Sequence, residues 1–172
     1  MLQFITAGDR KLMHKVNTWA APKWVRLSAV IATRAGDGWV WALVGLFILF
    51  WGGENRFRAL ASAGSAALAG VGIFVFTKEV SGRKRPCEIE PHCWAKLLPP
   101  DRFSFPSGHT ITAFAVTIAL SECYPALLPA LLFCALSIAV SRILLGMHFL
   151  SDVLAGAALG TGLALSTHAI FV

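Results

Sequence analysis

Charge is scarce in this chain. Asp, Glu, Lys and Arg make up 14% of its 172 residues, against 56% hydrophobic residues and a mean hydropathy of +0.68. Soluble domains carry about 25% charged residues, so the composition excludes an ordinary water-facing surface. The N-terminus lacks a basic region followed by an apolar core, and no cleavable signal peptide is expected. There is no internal repeat and no low-complexity segment, so one domain over residues 1–172 is expected. A metal centre is short of ligands. Cys87, His92 and Cys93 share one polar loop, but structural zinc takes four ligands and the fourth is missing. Neither a metal nor another cofactor is expected. In an oxidising compartment Cys87 and Cys93 are candidates for a disulfide. Cys123 and Cys134 lie in or beside apolar runs and read as packing residues.

What the chain does have is long uncharged runs. Ala59–Thr77 and Cys123–Ser141 hold no charged residue, and Val153–Val172 has only His168 as a titratable group. Each approaches the roughly 20 residues a helix needs to cross the hydrocarbon core. Gly38–Gly53 is shorter. Thr110–Ser121 is shorter still but extends backward through Pro106-Ser107-Gly108-His109. The expected fold is all-α, an integral membrane bundle of five to six transmembrane helices. Residues 1–34 read as an interfacial segment. Leu12, Val16 and Trp19 share one helical face, with Arg10, Lys11, His14 and Lys15 elsewhere. A further span through Trp24–Thr33 is the alternative, opposed by Arg26 and Arg34. Trp39, Trp51 and Trp94 lie near expected span ends, where aromatic belts form. Ala61, Ser65 and Ala69, and again Gly156, Gly160 and Ala164, recur every four residues, spacing that lets helices approach closely in lipid.

The net charge of +6 does not point to nucleic acid. The basic residues sit at the ends of apolar runs, where lipid headgroups or an anionic substrate would meet them. The expected partners are the bilayer and an anionic lipid. The stretch Lys78 to Phe105, with Pro86, Pro91, Pro99 and Pro100, forms a large loop on one membrane face. The turn near Glu122–Pro125 lies opposite, and the one near Gly146–Leu150 returns to the first face.

Three polar clusters converge on that face. They are Lys78 with Arg85-Pro86, then Pro106-Ser107-Gly108-His109, then Ser141-Arg142 with His148 and Asp152. Ionisable groups at span ends default to a functional hypothesis. Lys78, Arg85 and Arg142 together need a multiply charged anion, and Arg matches phosphate oxygens with a planar fork of donors. Ser107, Gly108 and His109 open a helix, whose free N–H groups favour an anion. His148 and Asp152, four residues apart, share a helical face. A carboxylate bonded to one ring nitrogen leaves the other free to act as a nucleophile. His109 has no carboxylate near it in sequence and is free to act as acid and then base. Any one of these clusters alone also fits a structural role; all three occur in order on one face.

The clusters match Lys-x6-Arg-Pro, Pro-Ser-Gly-His and Ser-Arg-x5-His-x3-Asp without a substitution. The chain therefore resembles the type 2 phosphatidic acid phosphatase superfamily over Lys78–Asp152, the expected catalytic segment (78–152). The resemblance implies a metal-independent lipid-phosphate phosphatase in which His148 attacks phosphorus, His109 protonates the leaving group and Asp152 orients His148. It also implies that Lys78, Arg85, Ser107, Gly108 and Arg142 hold the phosphoryl oxygens. The choice of His148 as attacker rests on Asp152 and on the family. Longer relatives have six spans; here the first is missing or reduced to the N-terminal segment.

The substrates implied are phosphomonoester or diphosphate lipids, of the phosphatidylglycerophosphate, undecaprenyl diphosphate, phosphatidate or lipid A phosphate class. A phosphotransferase passing the group to a lipid or sugar is the alternative, and an anion channel or transporter the third reading. Two arguments about sidedness conflict. Thirteen of the fifteen Lys and Arg residues lie on the site's face, which the positive-inside rule assigns to the cytoplasm. The bacterial relatives place the site outside. The expectation is the bacterial inner membrane, with the site on the periplasmic or outer face.

Overall fold

The computed structural model describes residues 6–95, 97 and 101–171. Pro99 and Pro100 of the large loop, and Val172 at the end of the last expected span, lie outside the described residues. Every element among the described residues is helical: α1 (Ala7–Thr18), α2 (Lys23–Ala35), α3 (Trp39–Trp51), α4 (Arg56–Ser81), α5 (Pro86–Ile89), α6 (Gly108–Cys123), α7 (Leu128–Leu144) and α8 (Leu150–Phe171). Local chemistry sets the boundaries. Thr6 and Asp9 form a capping box at the start of α1. Gly82, at φ 55°, ends α4 in the left-handed conformation that glycine tolerates best. Pro86 opens α5 at a position where its missing N–H costs nothing.

α6 is the centre of the bundle, packed against α4, α7 and α8. Ile111, Ala113, Ala115, Ala119 and Leu120 of α6 are all buried. The α8 contact runs along the expected stripe. A Cβ added at Gly160 would stand 2.4 Å from the Ile111 carbonyl oxygen, and one at Gly156 would stand 2.8 Å from that of Ser107. The α4 stripe differs from expectation. Ala69 is exposed, and the buried row is Ala59, Ala63, Ala66 and Gly70. α4 carries small residues on several sides, so spacing alone did not single out the face that meets Ile111.

The outer surface is apolar. Leu68, Phe76, Phe133, Leu154 and Ile170 are exposed, as they are when lipid is the solvent. Trp39 and Trp51 are exposed at the two ends of α3. The protein is a multi-pass membrane protein. Among the described residues, three helical segments are long and apolar enough to cross by length and composition, namely Gly53–Ile89, Pro125–Leu144 and Leu150–Phe171. α2 and α3, bent by 57° at their junction, make a fourth if counted together. α6 has 16 residues, about 24 Å at 1.5 Å per residue, short of the ~30 Å hydrocarbon core.

The N-terminal segment forms two helices. α1 is amphipathic, but its buried face includes Asp9 and Asn17 beside Val16, while Trp19 lies beyond the helix and is exposed. α2 lies over the end of α7, with Ala29 packed on Leu145 and Met147. The end of α4, the starts of α6 and α8, the end of α7 and the α2–α3 turn therefore meet at one end of the bundle. At the other end the Tyr124 hydroxyl donates to Gly52 O at 2.8 Å.

The α6–α8 contact sets a direct test. Gly160→Ala is expected to destabilise the protein by about 1–3 kcal/mol through overpacking. Gly64→Ala, where a Cβ meets nothing within 4 Å, should fall within about 0.5 kcal/mol of the parent. Unfolding in detergent, with both variants side by side, measures the difference.

Candidate active site

The site is assembled by a tight turn. Between α7 and α8 the chain reverses through Gly146 (φ +65°), and the amides of Met147 and His148 both donate to Arg142 O, at 3.0 and 3.1 Å. The spacing of five residues between Arg142 and His148 is the length of this turn. It places the histidine beside the arginine with only 2% of its surface exposed.

His148 Nδ1 lies 2.7 Å from the Ser104 carbonyl oxygen. A carbonyl only accepts, so Nδ1 carries the proton and Nε2 carries the lone pair. Nε2 faces Arg85 Nη1 at 3.3 Å. Burial, followed by the charges of Arg142, Arg85 and Lys78, pushes the His148 imidazole well below the ordinary histidine value. It is neutral at pH 7.

Asp152 was expected to bond His148 directly. It stands 3.7 Å from Nδ1, beyond hydrogen-bonding distance; the direct bond is made by Ser104 O. Asp152 accepts instead from Phe149 N at 2.8 Å and from Arg83 Nη1 at 2.7 Å. It thus ties down the first turn of α8 and the segment that carries His148.

Arg83 also donates through Nη2 to Asp9 at 2.8 Å. Asp9 in turn accepts from Ser151 N and Oγ at 3.0 and 2.7 Å. Arg83, Asp9 and Asp152 are all nearly or fully buried. One guanidinium thus bridges two buried carboxylates and fastens α1 onto the start of α8. Neither Arg83 nor Asp9 stood out in the sequence. Arg83 sits among other basic residues, and Asp9 is 74 positions away from it.

The cations expected to hold phosphate do converge. Lys78 pairs with Asp101 Oδ2 at 2.5 Å, and Arg85 pairs with Asp101 Oδ1 at 2.6 Å. Arg85 donates further to Asp101 O at 2.9 Å and Met147 O at 2.7 Å. Burial alone would raise the Asp101 carboxyl, but hydrogen bonds from Lys78 and Arg85 outweigh it and hold it below the ordinary carboxylate value. Asp101, another residue the motifs do not contain, is therefore ionised. Arg142 differs. Among the described residues it donates Nη1 to Thr33 Oγ1 at 2.7 Å, has no carboxylate within 4.0 Å, and keeps a buried Nε without a partner. With three cations and one carboxylate, the cradle keeps about two positive charges, which suits a phosphate of charge about −1.5 to −2.

Ser107 and Gly108 open α6 as expected. Ser107 N donates to Asp152 O at 3.1 Å, and Ser107 Oγ accepts from Thr110 at 2.9 Å. Gly108 is also pressed against Phe74, whose ring a Cβ would meet at 3.3 Å. His109 Nε2 lies 3.0 Å from Asp37 Oδ1 of the α2–α3 turn, a carboxylate that was not visible near it in sequence. His109, Arg142, Thr33 and Asp37 line a polar pocket of about 100 Å³. A separate groove of about 650 Å³ lies between α2 and α7 and is almost wholly apolar.

Cys87 and Cys93 are both free thiols. His92 has a structural role: Nε2 donates to Leu144 O at 2.9 Å, and Nδ1 accepts from the amides of Trp94 and Ala95.

The sequence pattern of the PAP2 superfamily matches residues 58–172. A lipid A 1-phosphatase of Rhizobium johnstonii is 29% identical, over 88% of this chain and 70% of that protein. A decaprenylphosphoryl-5-phosphoribose phosphatase of Mycobacterium tuberculosis is 35% identical, over 72% of this chain and 66% of that protein. The crystal structure of LpxE from Aquifex aeolicus superposes with a TM-score of 0.74 at 22% identity, covering 97% of this chain and 98% of that one.

Arg83→Met should leave Asp9 and Asp152 buried and unpaired, a loss of about 3–5 kcal/mol for breaking a buried ion network. Denaturant unfolding in detergent measures it. A change below about 1 kcal/mol, the value of a surface pair, would mean that Arg83 does not hold this end together.

Proposed function

The chain belongs to the PAP2 superfamily, and from that premise we propose that it is a membrane lipid phosphatase working through a phosphohistidine and without a metal. The observation that carries the mechanism is a neutral, fully buried His148 whose Nε2 lone pair faces the Lys78–Arg85–Arg142 cradle.

The proposed steps balance as follows. Nε2 of His148 attacks phosphorus, the phosphorus–oxygen ester bond breaks, and the leaving oxygen takes a proton from His109. The resulting phosphohistidine carries positive charge on the ring. Ser104 O accepts from Nδ1, and the Asp152 carboxylate at 3.7 Å offsets that charge. His109 then takes a proton from water, the water oxygen bonds to phosphorus, and the P–N bond breaks. The three cations neutralise the phosphoryl oxygens throughout, the electrostatic work a metal does elsewhere.

The substrate class proposed is a phosphomonoester or diphosphate carried on a hydrocarbon tail. The relatives named for lipid A and decaprenyl substrates support a lipid. So does the apolar groove. Trp24, Ile31, Phe133 and Leu136 line it, and it reaches Ile138 and Ser141, beside Arg142. A tail laid there brings its phosphate end to the cradle. Residues 1–172 are proposed as one catalytic domain, with the N-terminal helices as part of the site. The proposed location is the inner membrane, with the site on the periplasmic face.

Two experiments test this reading. Purified protein in detergent should release phosphate from lipid mono- or diphosphates in EDTA, and His148→Ala should lose at least about 10³-fold, the scale of losing a nucleophile. Release that needs added metal, or that survives in the variant, overturns the mechanism. A membrane-impermeant thiol reagent should label the exposed Cys93 in intact spheroplasts. Labelling only after lysis would put the site on the cytoplasmic face.

A further inference from the structure

Nothing in the three motifs assigns a partner to His109. Yet the leaving oxygen of a lipid alkyl phosphate, as an alkoxide, is a very poor leaving group. It departs only if His109 delivers a proton, so His109 must hold an extra proton when the ester bond breaks. That state is an imidazolium next to a cluster of cations, with Arg142 on α7 and Lys78 on α4 both repelling it.

The α2–α3 turn is built against this histidine. Three contacts, one from Thr33 in the last turn of α2 and two from Gly36 and Asp37, fix it there. Thr33 Oγ1 accepts from Arg142 Nη1 at 2.7 Å. Gly36 lies so close that a Cβ would meet His109 Cδ2 at 2.8 Å and Ile138 Cγ2 at 2.9 Å. Asp37 Oδ1 lies 3.0 Å from His109 Nε2. Gly38, at φ +105°, turns the chain into α3 immediately afterward, a conformation that non-glycine residues rarely adopt. Asp37 is held from the other side by Arg34 Nη1 at 3.4 Å. His109 Nδ1 makes no hydrogen bond among the described residues. With Nε2 engaged by the carboxylate, Nδ1 is the nitrogen left to face a leaving oxygen.

We propose that Asp37 is a positioning residue of the active site: its carboxylate holds His109 and offsets the charge of the imidazolium from which the leaving group takes its proton. The residue lies outside the segment matched by the family pattern, 58–172. Part of the support of the site thus comes from the turn after α2. A simple division follows. Ser104 O and Asp152 serve the attacking histidine, and Asp37 serves the protonating one. Arg34, Arg142 and Lys78 are the other charged groups facing this pair.

The inference rests on the phosphatase reading above, and the test separates the two. The parent protein and Asp37→Asn are compared by kcat/KM, which reports the steps up to leaving-group departure, on two substrates. One is a lipid alkyl phosphate, whose leaving oxygen needs a proton. The other is p-nitrophenyl phosphate, whose leaving oxygen does not. Asp37→Asn should lose roughly 10–100-fold on the alkyl phosphate, part of the general-acid contribution, and less than about 3-fold on the aryl phosphate, which makes little use of that acid. Asp37→Glu should recover part of the alkyl activity. Equal losses on both substrates would show a merely structural role, and no loss on either would show none; both outcomes overturn the proposal. A parent protein that hydrolyses neither substrate would instead sink the phosphatase reading itself.

Discussion

Lys78, Arg83, Arg85 and Arg142 are buried together at one end of a membrane bundle, and the need to compensate their charge organises this end of the protein. Removing an ion from water costs several kcal/mol unless partners replace the water. The chain supplies those partners unevenly. Arg83 has two carboxylates, Asp9 and Asp152. Lys78 and Arg85 share one, Asp101. Among the described residues Arg142 has only the Thr33 hydroxyl, and its buried Nε has no partner. Arg83 is therefore more than compensated where it fastens α1 to α8, and the cradle of Lys78, Arg85 and Arg142 is left positive. Burial first, and this positive field after it, push the His148 imidazole well below the ordinary histidine value.

This arrangement depends on how closely the helices pack. Lys78 ends α4, Gly108 begins α6, Arg142 lies near the end of α7 and Asp152 lies in the first turn of α8. They meet only because α8 approaches α6 through Gly156 and Gly160, and α4 approaches Ile111 through Gly70. Small residues here do not merely permit association. They set the distance at which four helix ends can share one phosphate-sized space. In lipid, where no hydrophobic force drives helices together, this fit is a main source of cohesion.

The N-terminal helices add what the motif-bearing helices lack. α1 contributes Asp9, which completes the network around Arg83 and Asp152. α2 and the turn after it contribute Thr33 and Asp37, and with α7 they form the apolar groove beside the cradle. A segment that reads as a surface anchor from its basic residues thus also lines the groove and the polar pocket beside Arg142.

Some of this was legible in sequence and some was not, for physical reasons. Long uncharged runs are a local property, so the helical membrane class followed from composition. Lys78, Arg85, Ser107, Gly108, His109, Arg142, His148 and Asp152 stood out because each lies in a short pattern at a span end. Run length does not say that α6 would be short and central or that α2 and α3 would bend by 57°. Ser104 acts through its carbonyl, which every residue possesses. Asp9, Asp37 and Asp101 look like ordinary loop or helix-end carboxylates, and they meet their partners across 74, 72 and 16 to 23 residues respectively. The sequence by itself determined which chemistry is present: cations, two histidines and a carboxylate at one face of a bundle. Only the tertiary structure decided which carboxylate serves which cation or histidine. Electrostatic pairing acts through space over a few ångströms, whatever the distance along the chain.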